Sequence, residues 1–349
     1  MLDTPEAVFD ALRENDQRPY DLQRTVIAEE LVDAAGQFED RGPLVTALLE
    51  LMAAYEYTGE HRKSPVTFAR VLRMWDDNPG DFSEWEAHQV FWRFKWVTGS
   101  LLQVPDVPLE VIERWTDQMR ERYAAAGHGM QPVAAMRYQI ARHTGRQPRH
   151  AYDLWVSRER TGLSDCEACE IRQQAVHHVH EGDDARALEV WRPVLSGRQS
   201  CQEEPGLSQA RALLPLLRQG RTDEARSCHL TGYRFARGKP GMSEEIGLHL
   251  EFCALSRNEP RGLEILAENR ALFASDGAPL SRLAFLTGAQ VLLDRLVAGG
   301  HADTPVAGPP GTQWTAASLL ARVGPEADAL AAAFDRRNGT TAVGDRRRA

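Results

Sequence analysis

The sequence predicts an all-α protein assembled from antiparallel helix pairs stacked side by side. Three observations lead there. Apolar residues recur at helical spacing from the first turn onward, and no stretch sustains the alternation of a strand. Loop-forming residues also return with a nearly fixed period in mid-chain: Gly145, Gly182, Gly220 and Asn258 stand 37, 38 and 38 residues apart.

The totals bound the answer. A chain of 349 residues can bury a substantial core, as two domains or as one elongated array. Apolar content of 42% and charged content of 26% are those of an ordinary globular chain and exclude wholesale disorder. A net charge of -9 speaks against nucleic-acid binding, which needs a basic surface to neutralise phosphates. The first residues, Met1 to Glu6, carry neither the positive cluster nor the apolar run of a signal peptide, and no apolar run is long enough to cross a membrane. We expect a cytoplasmic protein with no membrane or nucleic-acid partner. Lysine occurs only at Lys63, Lys95 and Lys239 against a wealth of arginine and alanine, a mark of a GC-rich bacterial genome.

Thr4, Pro5 and Glu6 form an N-cap, a proline at the first helical position and an acidic first turn, opening a helix that carries Val8, Phe9 and Leu12. Helices follow over about 20–38 and 43–57, and Ser64-Pro65 caps another that Asn78-Pro79-Gly80 stops. The next segment packs Phe82, Trp85, Phe91, Trp92, Phe94 and Trp96 into fifteen residues. As a helix it is apolar around much of its circumference, so the expectation is a central core helix; an aromatic binding groove is the alternative. A helix over about 108–126 closes this N-terminal helical region, residues 1–126.

The periodic part, residues 127–299, then reads as helix pairs: 130–144 with 148–158, 165–181 with 183–195, 206–219 with 221–237, and 242–257 with 259–273. Each turn opens a similar phrase, as in Gly182 to Leu188, Gly220 to Arg226 and Asn258 to Leu263, with a small residue where two helices approach. No single unit can bury its own apolar face, so neighbours must stack. One more helix is expected over 280–297, a Pro/Gly-rich linker over 300–312, a C-terminal helix over 313–336, and a disordered basic tail over 337–349.

This grammar resembles the tetratricopeptide-repeat family, whose unit is about 34 residues long. The small residue of the second helix is kept; the family's early Trp and Tyr positions are mostly absent, and the period is longer. The run from Leu213 to Arg226, then His229 to Arg234, Glu251 to Leu255 and Gly262 to Leu266, is similar to tetratricopeptide-like proteins of actinobacteria, which share the Asp-Cys-x-x-Cys start found at Asp165. The resemblance covers roughly residues 45 to 270. It implies a right-handed superhelical solenoid of antiparallel helix pairs and implies no reaction.

One constellation carries chemistry. Cys166 and Cys169 stand two residues apart at a helix start, Cys201 falls in the loop leading to the next pair, and Cys228-His229 lies on a later second helix. Five cysteines in a chain of this length suit metal ligation better than a disulfide framework. Adjacent residues on a helix point about 100° apart, so only one of Cys228 and His229 can face a shared ion; the resemblance implies His229. Cys166, Cys169, Cys201 and His229 would make a closed tetrahedral shell, the form of a structural zinc site. His177, His178 and His180 lie too far along the helix to join it and read as a C-terminal turn. His249 and Cys253, four apart, are a weaker second metal candidate or plain helix packing.

The resulting expectation is a non-catalytic scaffold for a protein or peptide partner, stiffened by structural zinc. The alternative is a zinc-dependent hydrolase that leaves one metal position open and uses Glu203, Glu204 or Glu251 as base. No metalloprotease, phosphate-loop or nucleophile-elbow motif supports catalysis.

Overall fold

The computed structural model of the protein describes residues 2–348. Among them, seventeen α-helices and three short 3-10 helices build an all-α fold, with one two-stranded ribbon as its β-structure. No helix among the described residues is long and apolar enough to cross a membrane. The chain divides into two compact units.

The first unit runs through Ile140 and takes in Leu154–Leu163 and Lys239–Gly241. It contains α1 (Pro5–Asp16), α2 (Leu22–Ala35), α3 (Gly42–Thr58), α4 (Ser64–Asp77), α5 (Glu84–Gln103) and α6 (Leu109–Ala125). The Thr4 hydroxyl accepts the Ala7 N–H at 3.2 Å and starts α1 as expected. Leucine, valine and alanine make α3 apolar on nearly every side, and it packs against α1, α2, α4 and α5. A reciprocal cap between Ser83 and Glu86 opens the aromatic helix α5. Phe91 and Phe94 are buried there, Phe94 against Phe68 and Trp115, which meets the core expectation. The tryptophans do not follow: Trp85 is 57% exposed, and Trp92 and Trp96 are half-buried.

Next come α7 (Gln131–Thr144) and α8 (Pro148–Val156), each with residues in both units. The second unit continues with α9 (Glu167–His180), α10 (Asp184–Leu195), α11 (Gly206–Arg218), α12 (Thr222–Ala236), α13 (Ser243–Leu255), α14 (Glu259–Glu268), α15 (Pro279–Ala298), α16 (Ala316–Asn338) and α17 (Ala342–Arg348). Three of the periodic turn residues, Gly145, Gly182 and Gly220, have φ of 74°, 80° and 69°, the left-handed region where a side chain is strained. At the fourth turn Arg257, not Asn258, takes that conformation, with φ 59°. Within the unit α9 packs on α10 and α11, α11 on α12 and α13, α13 on α14 and α15, and α15 on α16. Trp191, Leu213, Ile246, Leu250, Phe285, Leu292 and Phe334 form its shared core; full burial of a side chain of this kind is worth about 1.5–3 kcal/mol.

Two expectations about the C-terminal part change. In the stretch expected as a linker, β1 (Pro305–Val306) pairs antiparallel with β2 (Trp314–Thr315), Val306 opposite Trp314. The tail expected to be disordered forms the end of α16 and α17, and Val343 and Gly344 are buried. Its arginines find acceptors: Arg346 donates to the carbonyls of Arg142 and His143 at 3.0 and 2.8 Å. Ala349 lies outside the described residues. The compact units also part after Ile140, not after residue 126.

Candidate metal centre

The site begins at the N-terminus of α9. Cys166 is its N-cap and Cys169 its third residue, the two positions that exchange hydrogen bonds in a capping box. The Cys169 N–H donates to Cys166 Sγ at 3.3 Å, so sulfur stands where a serine oxygen would. That register turns both thiols toward each other. Cys201 arrives on the loop between α10 and α11, where Gly197 bends the chain with φ 74° and the Cys201 N–H donates to the Glu204 carbonyl at 3.2 Å.

The Sγ atoms of Cys166, Cys169 and Cys201 all lie within 4.8 Å of one another, the one such group of potential metal ligands among the described residues. Cys169 Sγ and Cys201 Sγ are 3.7 Å apart. That is far beyond a disulfide bond of about 2.05 Å. It equals the edge of a tetrahedron with Zn–S bonds of about 2.3 Å, which is about 3.8 Å.

One largely enclosed cation offsets part of the negative charge around the sulfurs. Arg172, one turn after Cys169, donates through Nε to Glu204 Oε1 at 2.5 Å and lies 3.7 Å from Glu203 Oε2. Burial works against its charge, but Glu204, Cys169 and Glu203 outweigh burial and hold it protonated. The Cys166 thiol is pulled down to about 6 by hydrogen bonding from the Cys169 side chain and, after burial's opposing effect, from the Cys169 amide. Cys169 moves the other way because its proton serves Cys166, and burial raises Cys201. Deprotonation is thus favoured at Cys166 and held back at Cys169 and Cys201, and the sulfurs become ligands once deprotonated. Soft thiolates of this kind take zinc, copper(I) or iron in preference to magnesium or calcium.

Compared with family models and with curated proteins, the chain matches none.

The structure brings together three of the four expected ligands and leaves out His229. On α12 the residues Ala225, His229, Gly232, Tyr233 and Ala236 form the buried stripe, so His229 points into the helical core. Its Nδ1 is 3.1 Å from Nδ1 of His249, and its Nε2 is 3.9 Å from Cys253 Sγ. Both imidazoles are neutral at physiological pH: burial lowers His229 to about 4 and His249 to about 3. The rival ligand Cys228 is raised to about 11 by burial and senses Glu224 and Arg221, not the cysteine cluster. His249 and Cys253, the weaker second candidate, contact different nitrogens of the His229 ring, His249 at Nδ1 and Cys253 at Nε2. His177 stacks flat on Tyr152, centroids 3.8 Å apart. The Glu203 carboxylate also faces the cluster, with Oε2 3.8 Å from Cys169 Sγ. Arg172 escaped the sequence reading; an arginine three residues after a Cys-x-x-Cys pair, facing the same helix side, was its one signal.

Proposed function

We propose that the protein is a non-catalytic helical-repeat scaffold for a protein or peptide partner, with a structural zinc ion held by Cys166, Cys169 and Cys201 and with Glu203 as the fourth donor. The 3.7 Å sulfur separation, which already fits a tetrahedral edge, is the observation that carries this reading. The ion would tie the start of α9 to the loop entering α11, joining two neighbouring helix pairs at one end.

The same reading takes the second unit as a tetratricopeptide-like, right-handed solenoid. Support comes from the order in which its helices pack and from charged rungs between neighbouring pairs: Arg172 with Glu204, Arg211 with Glu245, and Arg218 with Asp184. These partners stand 32, 34 and 34 residues apart, a little less than the 37–38-residue spacing of the turns, so each links one helix pair to the next. An array of this kind presents a continuous surface on which a partner segment can lie.

The test is metal analysis of the purified full chain together with thermal melting before and after a chelator. About one zinc per chain and a melt that drops on chelation are expected; a metal-free chain with an unchanged melt refutes the zinc clip. A second reading, a zinc-dependent hydrolase, draws on the exclusion of His229, which leaves only a carboxylate or a water for the fourth position. Metal-dependent hydrolysis that is lost in Glu203→Gln while zinc is retained would favour it.

A further inference from the structure

In the first unit, one cation is buried without hydrogen-bond acceptors for two of its nitrogens. Arg93, on α5, is 5% exposed, and its Nε and Nη1 donate to no acceptor among the described residues. Its guanidinium lies 4.0 Å from the ring centroid of Trp96, one turn on. From Trp96 the rings continue: Tyr57 on α3 at 5.9 Å, then Tyr20 at 4.3 Å from Tyr57, with Arg24 3.8 Å from the Tyr20 centroid. Trp96, Tyr57 and Tyr20 are all half-buried, so the row reaches the surface while Arg93 sits beneath it.

A buried, imperfectly hydrogen-bonded guanidinium is costly, and such groups persist where something else completes them. The two carboxylates whose charge Arg93 senses are engaged elsewhere. Glu50 is bound by Arg24 at 2.6 Å; Glu56 is 3.5 Å from His61 Nδ1 and accepts from Ser100 Oγ at 3.4 Å. Burial outweighs the help of Tyr57, Tyr20, Glu56 and Glu50 and pulls Arg93 down to about 10. Each edge of the guanidinium, Nε with Nη2 or Nη1 with Nη2, is a planar fork matched to a carboxylate, and the rings beside it suit a flat apolar body. The two nearby glutamates disfavour a doubly charged phosphate.

We propose that Arg93, with the rings of Trp96, Tyr57 and Tyr20, forms a binding site for a small monoanionic carboxylate carried on a planar apolar body. The carboxylate takes one edge of the Arg93 guanidinium, satisfying Nε or Nη1 together with Nη2, and the body lies against the half-buried rings. This site is separate from the metal centre and does not depend on it.

Phenylacetate, its neutral isostere phenylacetamide and phenyl phosphate are suitable probes, titrated against the full chain by calorimetry and saturation-transfer NMR. Phenylacetate is expected to bind, with the amide about tenfold or more weaker and the phosphate also weaker. Arg93→Met should abolish binding while melting no lower than wild type, because it removes buried donors that lack acceptors. Trp96→Leu, at a half-buried position, should weaken binding and leave the fold intact. Equal affinity for acid and amide overturns the proposal, as does undiminished binding in Arg93→Met, no detectable binding of phenylacetate, or a clear fall in the melting temperature of Arg93→Met.

Discussion

Gly247 on α13 and Gly288 on α15 meet backbone to backbone: a methyl group on Gly288 would lie 2.0 Å from the Gly247 carbonyl oxygen. A methyl on Gly247 would lie 2.4 Å from the carbonyl oxygen of Ala284. Helix backbones cannot step aside as a side-chain end can, so the two helices must separate to admit either group. Overpacking of this kind costs about 1–3 kcal/mol, against about 1 kcal/mol gained from replacing glycine in a helix. Gly288→Ala should therefore lose up to about 2 kcal/mol, read as a lowered denaturant midpoint. Gly99 in α5 has nothing within 4 Å of its missing methyl. Gly99→Ala should gain up to about 1 kcal/mol, and the opposite signs separate close packing from propensity.

The position of His229 yields a contrast between two substitutions. Cys201→Ser removes a sulfur from the cluster and should abolish zinc retention. His229→Ala should leave metal content unchanged while costing about 2 kcal/mol or more, because it opens a cavity and strips His249 of its 3.1 Å partner. Metal analysis and melting of the two variants in parallel check this. Loss of zinc in His229→Ala would return the histidine to the ligand set.

The same histidine pair sets a pH dependence. Burial lowers His229 to about 4 and His249 to about 3, whereas in the unfolded chain both titrate near the ordinary 6.5. Between those values the unfolded chain binds more protons than the folded one. Stability is therefore full above about pH 6.5 and is lost as pH falls from there toward about 4. For His229, 5% exposed, the loss is on the order of 3 kcal/mol across that window. Urea midpoints from pH 7 to pH 4 should drop, and the paired variant His229→Gln with His249→Gln should show a shallower slope.

Much of the helical layout was legible in the sequence because its signals are local. The Thr4 cap and the glycines at 145, 182 and 220 each act through neighbours within one turn, whereas Ser64 begins α4 without capping it, the N-cap position falling to Lys63. The Cys166–Cys169 pair was legible for the same reason, since N-cap and third position belong to one turn. The direction of His229 was not, because it depends on which way α12 is rotated, and the stripe of Ala225, Gly232 and Tyr233 turns that histidine into the core. Arg93 was hidden by its own aromatic neighbourhood: helical spacing marks apolar faces but says nothing of which cation lacks acceptors.

The C-terminal tail misled for a related reason. Composition alone reads Arg346, Arg347 and Arg348 as a solvated run, yet the Arg347 side chain is 9% exposed; it pairs with Asp328 and donates to Gln290 Oε1 at 2.5 Å. The Asp335 carboxylate accepts the N–H groups of Val343 and Gly344 at 2.9 and 3.0 Å, capping α17. Arg346 meanwhile satisfies carbonyls in the last turn of α7, which an α-helix leaves without partners. Removing the residues after Gly339 should expose those carbonyls and the surface under Val343, lowering stability by about 2 kcal/mol. Arg347→Ala alone should cause about half of that loss. Brief trypsin treatment gives an independent reading, because a docked α17 resists cleavage at its three arginines. If the intact chain loses them as fast as an unfolded peptide does, α17 is not docked in solution.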